Sequence, residues 1–245
     1  KMGVQGAALA TITARAVSCL VLISSYVSRK NVVKPTFRIF ALTKKLLSGI
    51  IVVGGPAVIA HLLHPLGMMM MFFLLKSYGD AAKAALTMGL TYHQLAILPI
   101  LGVAAGTLTM TGQNYGAQKL DRIRSLILRA NIFSMVLLSG VALIFIFGSK
   151  AFVQVFSKSP EVTSIGRMLL IIASLGFPFV GSRIVNASLF QGLGMGVKAL
   201  GLNASQVVLL SFPLAWLMSH WIGLNGIWWG LTAGNFFAAL IGILW

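Results

Sequence analysis

Long apolar runs separated by short polar stretches set the pattern of this chain. Seven runs are long enough to cross a bilayer: Gly3–Val27, Leu46–Leu75, Ala84–Gly112, Leu126–Phe147, Gly166–Phe190, Ala199–Ser219 and Trp221–Trp245. A hydrocarbon core takes about 20 apolar residues per helix. The runs are continuous rather than short and alternating, which predicts helices and not barrel strands. The expected fold is therefore all-α, integral to the membrane and polytopic, with about seven transmembrane helices. Prolines punctuate the runs: Pro56 and Pro65 in the second, Pro99 in the third, Pro178 in the fifth, Pro213 in the sixth. Such breaks are tolerated in lipid where a neighbouring helix or a cavity satisfies the freed carbonyls.

Composition agrees with the pattern. A mean hydropathy of +0.94 and 58% hydrophobic residues exclude both an ordinary soluble domain and a disordered chain. Charge then adds direction. Nineteen Lys and Arg face three acids, Asp80, Asp121 and Glu161, for a net charge of +16. A nucleic-acid partner is excluded by where the bases lie, because most occupy short loops between spans. One cluster is Arg29, Lys30, Lys34, Arg38, Lys44 and Lys45; the next, two spans later, is Lys119, Arg122, Arg124 and Arg129; Lys198 follows two spans after that. The alternate loops carry fewer bases and two of the acids. Basic loops 28–45 and 119–129 are accordingly expected in the cytoplasm. The single cysteine, Cys19, excludes an internal disulfide framework and a multi-cysteine metal site. No secretory signal is legible at Lys1-Met2, and both ends fall within apolar runs, so the sequence reads as a fragment.

An internal repeat supports that reading. Gly3-Val4-Gln5-Gly6-Ala7-Ala8 opens the first run and Gly223-Leu224-Asn225-Gly226-Ile227-Trp228 opens the last. Each reaches Thr-Ala (Thr13-Ala14, Thr232-Ala233) within about ten residues. The offset of about 220 residues spans six helices, and an even-numbered unit gives parallel copies, a common transporter architecture. On this reading residues 1–27 are the last helix of an earlier six-helix bundle, 28–45 an inter-bundle loop, and 46–245 a second, complete six-helix bundle.

The stretch Leu98-Pro99-Ile100-Leu101-Gly102, then Thr111-Gly112-Gln113-Asn114-Tyr115-Gly116-Ala117 and Asp121-Arg122, resembles the multidrug and toxic compound extrusion (MATE) family. Further segments are similar to it: Gly3 to Thr11 to its sixth helix, Gly54-Gly55-Pro56 to the start of its seventh, and Gly176-Phe177-Pro178 to its tenth. Phe190-Gln191-Gly192-Leu193-Gly194 resembles the exit of that tenth helix, and Gly226-Ile227-Trp228 the twelfth. The resemblance covers helices six to twelve of twelve. It implies two six-helix bundles facing a central cavity and export of lipophilic, cationic compounds by alternating access, in exchange for H+ or Na+. It implies no cofactor and no enzymatic activity. The partners it implies are small lipophilic substrates, membrane lipids and the N-terminal bundle of the same chain, in a bacterial inner (plasma) membrane.

The sequence departs from one branch of that family, which carries acids in the seventh and tenth helices. Here His64 falls at the first position and an apolar residue near Val180 at the second. The signature around Pro99 and Gln113 looks more like the branch related to the DNA-damage-inducible transporter, whose coupling acid lies in the first helix of the other bundle.

Candidate cavity residues are His64, Met68, Tyr92, His93, Arg183 and Asn186. His64 is the titrating candidate, and one turn from it His61 shares its face, a pairing that packing near Pro65 also explains. Arg183 lies deep in the fifth run and needs a backbone carbonyl, an anionic substrate or an acid of the other bundle as its partner. Arg15 snorkels or caps neighbours. At most two of Met68 to Met71 can face a cavity, since a four-residue run covers all sides of a helix. Gly112, Gln113, Asn114 and Gly116 read as a helix-end motif with a capping role, and Trp228 with Trp229 as an interfacial aromatic belt. No metal site is expected, because no carboxylate or cysteine stands near the histidines. Two rivals to efflux remain open: a flippase of the same superfamily that moves a lipid-linked precursor, and a non-transporting membrane subunit.

Overall fold

The computed structural model describes residues 3–27 and 43–245. They belong to two compact units that divide between Leu47 and Ser48. In the first, α1 (Gly3–Val27) is a single helix in which the hydroxyls of Thr13, Ser18 and Ser24 bond its own backbone. Thr13 Oγ1 donates to Leu9 O at 2.8 Å and Ser18 Oγ to Ala14 O at 2.9 Å. That is how Ser and Thr enter a membrane helix without an unpaired donor. Arg29, Lys30, Lys34 and Arg38 of the expected inter-bundle loop lie outside the described residues.

The rest of the chain is α2 (Lys44–Leu74), α3 (Gly79–Gly116), α4 (Leu120–Phe156), α5 (Pro160–Leu175), α6 (Phe177–Gly192), α7 (Gly196–Ala204), α8 (Phe212–Ile222) and α9 (Leu224–Leu244). A 3₁₀ turn, Leu75–Tyr78, joins α2 to α3, and a π-helical segment, Ser205–Ser211, joins α7 to α8. Among the described residues, four continuous helical stretches are long and apolar enough to cross a membrane, and α5 with α6 adds a fifth. The stretch Leu47–Gly116 holds 70 residues. Drawn straight it would measure about 105 Å, more than three times a hydrocarbon core of about 30 Å. The chain leaves the helical region at Gly79, whose φ is +82°, and this marks the boundary between two spans.

The structure revises two of the expected runs. The fifth is two helices, not one, bent by 49° on either side of Gly176. Pro178 sits in the first turn of α6, where its missing N–H costs nothing, so the chain restarts a helix there. Gly176 N turns to Ala173 O at 3.0 Å, and Thr232 Oγ1 of α9 donates to the neighbouring carbonyl of Ile172 at 3.0 Å. The sixth run winds through the π segment just before Pro213, a second place where proline disturbs the ladder.

Packing places α6 near the centre. It lies against α3, α4, α7 and α9, and α9 also packs on α5, α8 and the π segment. The α8–α9 seam is built from small residues. Gly226, Gly230 and Gly234 form a stripe at four-residue spacing, and a Cβ on them would meet the backbone at Met218, Ala215 and Ser211. Close backbone approach of this kind replaces the hydrophobic drive that lipid does not supply.

Candidate functional site

A cavity of about 150 Å³ opens inside the 48–245 unit, walled by α2, α3, α5, α6, the π segment and α9. Its apolar part is Met68, Met71, Leu86, Leu90, Phe177 and Val180; its polar part is His64, His93, Arg183, Gln206, Ser211, Trp228, Thr232 and Asn235. Helical spacing explains who faces it. Met68 and Met71 are three apart on α2, while Met69 points outward and is 69% exposed. On α6, Phe177, Val180 and Arg183 recur every three residues along one face.

His64, Met68, His93 and Arg183 are thus brought together, and Tyr92 and Asn186 are not. Tyr92 is one residue from His93 and therefore about 100° around the helix. It is buried against Phe145, Phe152 and Phe156, and its hydroxyl donates to Phe152 O at 2.8 Å. Asn186 is turned to α4 with Ser182, one turn before it. Ser182 Oγ donates to Asn131 Oδ1 at 2.6 Å, Asn131 Nδ2 to Asn186 Oδ1 at 3.2 Å, and Asn186 Nδ2 to Ser182 Oγ at 3.3 Å. The three close a small polar clamp between α4 and α6. His61 is not part of the cavity wall.

Arg183 has a partner the sequence did not point to. Its Nη1 donates to Asn203 Oδ1 at 2.6 Å, and Asn203 Nδ2 in turn donates to Ala199 O at 2.9 Å. Its Nε is buried with no partner. The expectation of an interfacial Trp228 is corrected: the indole is 1% exposed, lines the cavity, and its Nε1 also has no partner. The glycine stripe presses α9 onto α8 and leaves Trp228 turned into the core, with Trp229 on the outer side. His93 meets Phe177 edge-on, with centroids 5.7 Å apart.

Sequence reasoning passed over Gln206, Asn235 and Asn203. All three carried a usable signal, an amide inside an apolar run. Two of them also donate locally: Gln206 Nε2 to Ser211 Oγ at 3.0 Å and Asn235 Nδ2 to Leu231 O at 3.0 Å.

The helix-end motif joins α3 to α6. Asn114 Nδ2 donates to Met110 O at 2.8 Å, Ala117 N to Gln113 O at 3.1 Å, and Lys119 N to Asn114 O at 2.9 Å. Gly112 faces Gly192 O, and a Cβ on Gly192 would stand 2.7 Å from Leu108 O. Two glycine-bearing segments singled out in the sequence therefore meet in space. Around Gly116 there is open space.

No acid lines the cavity among the described residues. Asp80, Asp121 and Glu161 are exposed, each in the first turn of a helix, where a negative charge complements the helix dipole. Asp80 is also paired with Lys83 at 2.8 Å.

The sequence pattern of the MatE family matches residues 56–217. The chain is 23% identical over its whole length to a probable multidrug resistance protein NorM of Thermotoga maritima, of which it covers 53%. It is 23% identical over 99% of its length to the multidrug export protein MepA of Staphylococcus saprophyticus, again covering 53%. Among solved structures, an outward-facing multidrug resistance MATE family transporter of the MOP superfamily superposes with a TM-score of 0.92 at 26% identity. The match covers 98% of this chain and 55% of that one. A Vibrio cholerae MATE transporter superposes at 0.91 and 27%, over 99% of this chain and 55% of that one. The chain spans about half the length of the curated relatives it matches.

Proposed function

Because this chain belongs to the MATE family, as a polytopic all-α membrane protein, we propose that it forms the C-terminal portion of a secondary multidrug efflux antiporter. The observation that carries this is the cavity: polar groups from five elements converge on one apolar-walled space inside a membrane bundle. Mixed walls of this kind suit lipophilic compounds of varied shape, with Met68 and Met71 supplying adaptable surface. The π segment and the bend at Gly176 both border the cavity, so the helices that would rock or straighten are the ones that touch the substrate.

The coupling ion is H+ or Na+, and the coupling carboxylate lies outside residues 1–245. What supports this is that all three acids of the chain stand exposed at helix starts. A cationic substrate would need its counter-charge from the other bundle for the same reason. On this reading the membrane is a bacterial plasma membrane with the basic segments 28–45 and 119–129 in the cytoplasm, an orientation that the distribution of Lys and Arg supports.

The test is flux in proteoliposomes carrying the full-length protein. An imposed proton or sodium gradient should drive efflux of a lipophilic dye, and dissipating it should stop the flux. Movement of a lipid-linked precursor with no dye flux would establish the flippase instead. Flux of neither kind would leave a non-transporting subunit and overturn the proposal.

A further inference from the structure

We propose that the cavity bounded by Arg183 and Trp228 is a binding site for the carboxylate of a lipophilic monoanion. That this anion is carried as a substrate rests on the transport reading above; the binding site does not.

Three observations converge. Arg183 is the only lining residue with a fixed charge, and no Asp or Glu lines the cavity among the described residues. A half-buried guanidinium without an ionised partner among the described residues is costly in an apolar setting, so the unliganded cavity favours a negative charge. Second, two residues of the lining each carry a buried N–H with no acceptor, Arg183 Nε and Trp228 Nε1. Buried donors are almost always paired, so a small shift of either side chain toward an acceptor in the cavity would be favoured. Third, several of the surrounding polar side chains are already committed as donors. Arg183 Nη1 is held by Asn203, Gln206 by Ser211, and the Thr232 hydroxyl by Ile172 O and Trp228 O. Beside the imidazoles of His64 and His93, what remains to be satisfied is one positive charge and two N–H groups, which a carboxylate matches.

Charge balance sets the class. One guanidinium neutralises one negative charge, whereas a pyrophosphate would leave excess charge stranded in a low-dielectric site. The volume of about 150 Å³ admits a carboxylate and a few carbons, and Met68, Leu86 and Phe177 provide an apolar wall for the adjoining tail. An amphipathic acid with its head at Arg183 fits; a compact inorganic anion leaves the apolar wall unused.

Binding to the purified full-length protein tests this, using a dansyl-labelled eleven-carbon fatty acid as probe. Its methyl ester, tetraphenylphosphonium and farnesyl pyrophosphate are the comparators. The acid should bind at least about tenfold more tightly than its ester, the scale of one hydrogen bond to a charged group. Arg183→Gln should remove that preference. Trp228→Phe, which keeps the ring and loses the N–H, should weaken the acid by several-fold and leave the ester unchanged. Arg183→Gln removes a buried charge rather than stranding one, and Trp228→Phe offers a second, milder variant, so the two keep the test readable. Equal binding of acid and ester, acid affinity indifferent to both substitutions, or a preference for the pyrophosphate would each overturn the site. Acid binding of the expected kind without gradient-driven flux would sink the transport reading and uphold the site. Dye flux with no acid preference would do the reverse.

Discussion

At the residue scale, neighbours in sequence separate sharply in role. Tyr92 and His93 read as one polar patch, because a helix surrounded by apolar residues on every side carries no amphipathic stripe to tell its faces apart. The structure sends the phenol into an aromatic cluster against α4 and the imidazole to the cavity. Tyr92→Phe should therefore cost about 1 kcal/mol of stability, the net value of one hydrogen bond, and leave dye flux unchanged. His93→Ala should change flux or substrate preference with little effect on the melting temperature. Thermal denaturation and flux measured on the same preparations check both, and an activity loss in the Tyr92 variant without a stability loss would contradict the division. Asn186 teaches the same lesson. An intramembrane amide signals a polar partner, but the sequence does not say whether that partner is a ligand or, as here, Ser182 one turn away and Asn131, 55 residues before it.

At the element scale, the apolar runs announced the helices well and their interruptions poorly. Pro178 was visible, yet only the structure shows that the break lies at Gly176 and that Thr232 of a distant helix serves the exposed Ile172 carbonyl. Long-range satisfaction of this kind leaves no local trace. Thr232→Val keeps the shape and removes the donor, so it should destabilise by about 1–3 kcal/mol, the penalty of a buried polar group left unpaired. The Gly226, Gly230 and Gly234 stripe was legible in principle, since four-residue spacing of small residues is a packing signal in membrane helices. Only Gly226 drew attention in the sequence, through the repeat. Gly230→Ala should lower stability by about 3 kcal/mol, because its Cβ would collide with the Ala215 backbone. Gly102→Ala is the control: nothing lies within 4 Å of a Cβ there. Comparable melting temperatures for the two variants would show that the α8–α9 seam is looser than the structure has it.

At the scale of the whole molecule, the described residues keep every acid out of the cavity. The cavity holds a guanidinium, two imidazoles and an indole N–H, and the acids are spent at helix starts. The scarcity of acids was plain in the sequence; their assignment to the first turns of α3, α4 and α5 needed the helix boundaries. An ion-coupled antiporter requires a group whose charge changes during the cycle, and an exposed carboxylate at a helix start is always hydrated and ill-placed for that. The full-length protein with Asp80→Asn, Asp121→Asn and Glu161→Gln combined should then retain gradient-driven flux, with its dependence on the imposed pH or sodium gradient unchanged. Stability alone should fall slightly, as the dipole complement and the Asp80–Lys83 pair are lost. If instead flux persists but no longer responds to the gradient, one of these three carboxylates carries the coupling, and the division of labour between the two bundles is other than proposed. If the response survives, the carboxylate must be sought outside residues 1–245.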